Sequence, residues 1–151
     1  MSTQDVAERL SLTEIAPKPT AALVRLQAAI ELDPGLGELV KLRASQINGC
    51  AFCIDMHWKD ARARGESEER LYMLDAWRES PLYDDRERAA LALCEAVTLV
   101  AQGHVPDEVW ERASAEFGVE ELAQLVFAIT AINAWNRLSI ATRKEPGRYQ
   151  P

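Results

Sequence analysis

Four residues in one short stretch have the types and the spacing to do chemistry. Cys50-Ala51-Phe52-Cys53 is a Cys-x-x-Cys pair, His57 follows the second cysteine by four residues, and Glu38 precedes the first by twelve. The thiolate is the nucleophilic form of cysteine, and both a helix start and a Cys-x-x-Cys spacing lower the thiol pKa. An imidazole one helical turn from a thiol can take its proton, and a carboxylate behind the imidazole can orient it. The chemistry this implies is thiol redox work at a dithiol.

The elements that must position these groups read as a helical hairpin. Pro34 suits a helix start, and a helix over about 36–47 carries Glu38 and ends at Asn48-Gly49. The cysteine helix follows over about 50–64, with Gly65 as its stop. At ~1.5 Å per residue, Glu38 lies roughly 13 Å back from the turn and His57 roughly 10 Å back along the partner helix. The two therefore reach similar levels. Cys53 and His57, as i and i+4, share a face, and Cys50 and Cys53 are neighbours at i and i+3. The order along the hairpin is carboxylate, imidazole, thiol, thiol, a proton relay in which Glu38 polarises His57 and His57 draws the proton from Cys53. The cysteines also sit on the first turn of their helix, where the peptide dipoles favour negative charge.

The rest of the chain reads as all-α, with about six to seven helices. Residues 1–19 read as an extended N-terminal arm closed by Pro17-Lys18-Pro19. Residues 20–145 form one helical domain, and 146–151 a tail. Further helices are expected over about 20–32, 67–77, 84–101, 107–117 and 119–143. The chain has 151 residues, a charged fraction of 27% and a net charge of −7, which is an ordinary globular balance without the basic face that a nucleic-acid partner requires. No apolar run approaches the ~20 residues that span a bilayer, and the acidic first segment does not read as a signal peptide. The expectation is a cytoplasmic protein with no membrane partner. In that compartment a Cys-x-x-Cys is catalytic or metal-binding rather than a structural disulfide.

The last helix is apolar nearly all round: from Leu122 to Trp135 only Gln124, Thr130 and Asn133 are polar. Such a helix needs burial on nearly all sides, and burial between subunits of a homo-oligomer provides it. A central core helix in a monomer is the alternative. Zinc is a second reading of the cysteine pair, but a structural zinc site uses four ligands, and only His57 and one carboxylate stand ready to complete it. Cys94 reads as a small core residue, His104 as solvent-exposed, the four tryptophans as packing or interface residues, and Asp55 and Asp60 as part of a solvated helix face.

Glu38, eleven residues, Cys50-x-x-Cys53, three residues and His57 together resemble the alkylhydroperoxidase-D-like (AhpD-like) branch of the carboxymuconolactone decarboxylase superfamily. The string Ile47–His57 is similar to that family's motif, and Ile132–Leu138 resembles the close of its shorter members, so the resemblance covers roughly residues 20–143. It implies an all-helical fold assembled as trimers or hexamers, with the hexamer expected first. It implies a peroxidase that reduces hydrogen peroxide or organic hydroperoxides with no metal or other cofactor. By the same resemblance Cys53 is the peroxide-attacking thiol, Cys50 the proton donor and resolving thiol, and His57 and Glu38 the relay. A lipoyl-type or thioredoxin-type reductant would reopen the disulfide. Phe52 departs from the pattern, standing where the best-known enzyme of this type has a histidine. The decarboxylase branch lacks the cysteine pair, which disfavours lactone decarboxylation. A thiol-disulfide oxidoreductase or redox sensor with little peroxidase turnover, and a non-enzymatic assembly protein with a zinc-bound or inert dithiol, are the alternatives.

Overall fold

The structure, a computed structural model, describes residues 7–151. Among them are eight α-helices and no strand: α1 (Leu12–Ile15), α2 (Pro17–Ala29), α3 (Pro34–Asn48), α4 (Ala51–Ala63), α5 (Glu68–Tyr72), α6 (Asp85–Thr98), α7 (Asp107–Glu116) and α8 (Val119–Thr142). Short 3₁₀ turns at Leu74–Ala76 and Val100–Gln102 finish the segments that the sequence reads as single helices over 67–77 and 84–101. No helix among the described residues is long and apolar enough to cross a membrane.

Helix α3 is the hub, packing against α4, α6 and α8. Local chemistry sets its ends. Asp33 Oδ1 accepts from Leu36 N at 2.9 Å, and Pro34 fills the first turn, where no intrahelical N–H partner is needed. At the other end Gly49 takes the left-handed conformation at φ 70°, a region that costs any residue with a Cβ. That one residue reverses the chain into α4, and Cys50 becomes the N-cap of the new helix, its Sγ accepting from Cys53 N at 3.3 Å.

Two hydrophobic clusters flank α3. One face, including Leu36 and Val40, joins Leu93, Ile129 and Ile132 of α6 and α8. The opposite face, with Leu39 and Leu42, joins Ala61 of α4, Leu74, Trp77 and Leu91. Each fully buried leucine is worth about 1.5–3 kcal/mol, so the hub is fixed from both sides. An amide network completes the clamp at the hairpin's turn. Asn48 Nδ2 donates to Asn133 Oδ1 and to Asn136 Oδ1, both at 2.9 Å, and Asn136 Nδ2 donates to Ser45 Oγ at 3.0 Å. Buried amides left unpaired would be costly, so this network fixes the register of α8 against the turn that carries Cys50. Farther off, Asp84 and Glu87 form a reciprocal capping box at the start of α6.

One expectation needs correction. The arm expected to be extended through residue 19 is helical where it is described: α1 covers Leu12–Ile15, and Pro17 and Pro19 lie in the first turn of α2 rather than before it. Proline fits there because the first-turn N–H groups have no intrahelical acceptor. Residues 1–6 of that arm lie outside the described residues. Helix α8, read as apolar nearly all round from Leu122 to Trp135, buries one face within the single chain and leaves the other exposed. Leu125, Ile129, Ile132 and Asn136 are buried, whereas Val119, Phe127 and Ile140 stay exposed at 85%, 54% and 46%. The small residues Ala128 and Ala131 sit on the buried side, so composition alone hides the distinction.

Candidate active site

The α3–α4 hairpin brings the four sequence-selected residues into one region. Glu38 leaves α3 on the side facing α4, and His57 lies one turn beyond Cys53 on α4. Glu38 Oε2 lies 2.8 Å from His57 Nδ1. Both side chains are buried, as are Cys50 and Cys53, which are joined by a disulfide with their Cα atoms 5.3 Å apart.

The electrostatics fix the protonation pattern. Burial alone pushes the Glu38 carboxyl up, but the hydrogen bond from His57 and the charge of Lys41 outweigh it, and the net shift is downward from the usual value. Lys41, one turn along α3, donates from Nζ to Glu38 Oε1 at 3.0 Å. Glu38 is therefore an ionised acceptor with no proton to give, so Nδ1 of His57 must be the donor. In the neutral imidazole this leaves Nε2 as the basic nitrogen. The carboxylate thus selects the tautomer that can accept a proton.

Glu38, Cys53 and His57 line a cavity of about 490 Å³, which Val24 and Ala28 of α2, Phe52 and Met56 of α4, and Trp135 of α8 make largely apolar. Cys50 does not line it, lying instead behind Cys53 at the helix start. The arrangement presents one sulfur of the pair to the cavity and keeps the other as its neighbour.

Several residues that the sequence reading passes over also belong here. Lys41 is the second partner of Glu38. Asp60, read as solvated, lines the cavity and accepts from the Tyr149 hydroxyl at 2.6 Å. That contact belongs to a strap formed by the tail: Lys59 Nζ donates to Tyr149 O at 3.1 Å, and Gly147 N donates to Asp55 Oδ2 at 3.0 Å. The Asp60 carboxylate, with burial, pushes the Tyr149 phenol up to about 12. Trp135 is a cavity wall rather than only packing. The contacts to the tail join residues about ninety positions apart, and no local pattern announces them.

Glu38, His57 and Asp60 each offer a ligand atom within 4.8 Å of the others, a grouping that could be read as a metal site. The donor chemistry argues otherwise. Glu38 already serves an imidazole and an ammonium, and Asp60 a phenol; a cation there would compete with Lys41 for the same carboxylate. Cys94 is enclosed in the core between α3 and α6, its Sγ donating to Val40 O at 3.4 Å, and burial pushes its thiol up to about 12.

Residues 17–96 match the model of the carboxymuconolactone decarboxylase family. The chain is 43% identical over 139 residues to the uncharacterized protein YdfG of Bacillus subtilis (strain 168), covering 90% of this chain and 95% of that one. Among solved structures, an Agrobacterium tumefaciens protein of unknown function, ATU0492, described as a candidate antioxidant defence protein AhpD, superposes with a TM-score of 0.92 at 38% identity, covering 95% of this chain and all of its own. The alkylhydroperoxidase AhpD core of Ralstonia eutropha JMP134, an uncharacterized peroxidase-related protein, shares the fold with a TM-score of 0.79 at 17% identity, covering 91% of this chain and 74% of its own. A family match over more than half the chain and a near full-length relative agree with the helical hairpin and its cysteine pair: the chain belongs to the carboxymuconolactone decarboxylase family, in its AhpD-like branch.

Proposed function

We propose that this protein is a thiol-dependent peroxidase that reduces hydrogen peroxide or organic hydroperoxides through the Cys50–Cys53 pair. The observation that carries the reading is a disulfide at an apolar cavity beside an imidazole whose tautomer is set by a buried carboxylate. In the reduced protein, His57 Nε2 takes the Cys53 proton. The thiolate attacks one peroxide oxygen, the O–O bond breaks, and the departing alkoxide takes a proton to leave as alcohol. Cys53 is then a sulfenic acid. Cys50, next to it at the helix start, attacks the Cys53 sulfur; the S–S bond forms and water leaves. An external dithiol of the lipoyl or thioredoxin type reduces the disulfide and is itself oxidised.

The start of α4 favours the thiolate through its unpaired N–H groups and dipole. The apolar wall strengthens the local electrostatics by excluding water. A dithiol cycle of this kind needs a reducing supply, which fits a cytoplasmic setting. The exposed Val119, Phe127 and Ile140 of α8 give the chain an apolar face suited to a homo-oligomer, with a hexamer as the first expectation and a trimer as the second.

The test is steady-state turnover of hydrogen peroxide and an organic hydroperoxide, with dihydrolipoamide or reduced thioredoxin as electron source. Turnover with one of these supports the reading. Disulfide reduction by both without any peroxide consumption would instead make the protein a thiol-disulfide oxidoreductase.

A further inference from the structure

The charged groups of the cavity are unequally committed. Both carboxylates already have partners within the chain: Glu38 holds His57 and Lys41, and Asp60 holds the Tyr149 hydroxyl. Among the cations, Lys41 is bound to Glu38, whereas Arg64 and Lys144 line the same cavity with no ion pair among the described residues. Asp60 keeps its charge, because a phenol is a neutral partner; Glu38 and Asp60 set against Lys41, Arg64 and Lys144 leave the lining with one more cation than anion, in a chain whose net charge is −7.

Lys144 is also placed with care. Helix α8 ends at Thr142, and Arg143 takes φ 56° and ψ 49°, the left-handed region that a residue with a Cβ adopts only at a cost. The chain turns back, Lys144 N donates to Ser139 O at 2.9 Å, and the Lys144 ammonium comes to 4.1 Å from the centroid of the Phe52 ring. A cation over an aromatic face is held on one side only. Its N–H donors remain free to bind an anion. Phe52 immediately precedes Cys53, so this charge stands at the cavity wall beside the reactive pair, with Val24, Met56 and Trp135 supplying apolar surface.

Resting on the peroxidase reading above, we propose that the preferred substrate is an organic hydroperoxide whose carbon skeleton carries a carboxylate, and that Lys144 is the residue that recognises it. The skeleton lies against the apolar wall, the peroxide meets Cys53, and the carboxylate pairs with the Lys144 ammonium. Lys144 is itself exposed, so the pair forms at the cavity rim, where the charge-assisted hydrogen bond is open to solvent and the Phe52 ring holds the ammonium on one side.

Cumene hydroperoxide and its para-carboxylate are a matched pair for the test. With the reduced wild-type protein at low salt, kcat/KM should favour the carboxylate about tenfold, mainly through KM, and the preference should shrink with added salt. Lys144→Gln should bring the ratio close to one, Lys144→Arg should retain most of it, and Arg112→Gln, which removes an exposed cation on α7, should leave it intact. A ratio near one in the wild type, or one that survives Lys144→Gln, overturns the proposal; loss in Arg64→Gln alone would move the recognition to Arg64 and overturn it equally. Binding separates this from the peroxidase reading. Calorimetry of the oxidised protein should show para-isopropylbenzoate binding about tenfold tighter than para-isopropylbenzamide, with the difference gone in Lys144→Gln. If neither hydroperoxide turns over but this difference is found, the anion site stands and the peroxidase reading falls. If turnover occurs and the two ligands bind alike, the anion site falls alone.

Discussion

Glu38 Oε2 and His57 Nδ1 lie 2.8 Å apart across the α3–α4 hairpin, so an ionised carboxylate fixes which imidazole nitrogen carries the proton. If Nε2 is the base for Cys53, removing either partner slows the peroxide step. Glu38→Gln and His57→Gln should each reduce the rate of Cys53 oxidation by about 10²- to 10⁴-fold, the usual size of general acid–base effects. Both should raise the pH at which the thiol becomes reactive. Alkylation rate against pH checks this, and an unchanged midpoint in both variants would remove the relay from the mechanism.

The same pair links stability to pH. The folded-state pKa of Glu38 is lowered from the ordinary 4.5. Between the folded and unfolded values the unfolded chain binds more protons, so stability rises with pH across that window. The contribution is complete above about 4.5, the ordinary value, and is lost as pH falls through the lower folded value. Denaturation midpoints of the wild type should therefore fall more steeply than those of Glu38→Gln as the pH drops below that point. Parallel curves would show that the carboxylate gains nothing on folding.

Cys94 should be silent. Its burial and raised pKa leave almost no thiolate. In the reduced native protein, thiol reagents should modify Cys53, which lines the cavity, first and Cys94 only on unfolding. Cys94→Ala should leave peroxide reduction unchanged while costing a modest amount of stability through the small void it leaves. Quantitative mass spectrometry after timed alkylation reads both.

The exposed Phe127 tests assembly. Its side chain is 54% exposed in the single chain, so a charge there need not be buried within the fold. Phe127→Glu should preserve helicity and thermal unfolding of the isolated chain while shifting the mass toward the monomer in light scattering. A wild-type mass near the 16.8 kDa chain mass would leave that face without a partner copy.

How far the site was readable follows from where its residues lie. Glu38, Cys50, Cys53 and His57 occupy two consecutive helices joined at Gly49, and helical rise and periodicity carry such information directly. Lys41 was within reach of the same reasoning, lying one turn from Glu38 on the same face. Asp60 was not, because its role depends on Tyr149 from the far end of the chain. Lys144 depends on a left-handed Arg143, a conformation that residue type disfavours. The amide clamp of Asn48, Asn133 and Asn136 likewise joins residues more than eighty positions apart. For the fold, the breaks at Pro34, Gly49 and Gly65 place the helices well. Pro17 and Pro19 mislead because proline marks a helix start as readily as a helix stop.

In the proposed cycle Cys53 attacks peroxide and Cys50 resolves the product. The most direct measurement is stoichiometric: fully reduced protein is mixed with a limiting organic hydroperoxide, free thiols are counted, and the linkage is mapped by mass spectrometry, alongside Cys50→Ser treated with a sulfenic-acid probe. The expected result is two thiols lost per peroxide, a Cys50–Cys53 disulfide in the wild type, and a probe adduct on Cys53 in Cys50→Ser. No thiol loss at all, or an adduct on Cys50 in Cys53→Ser with none on Cys53 in the reciprocal variant, would contradict it.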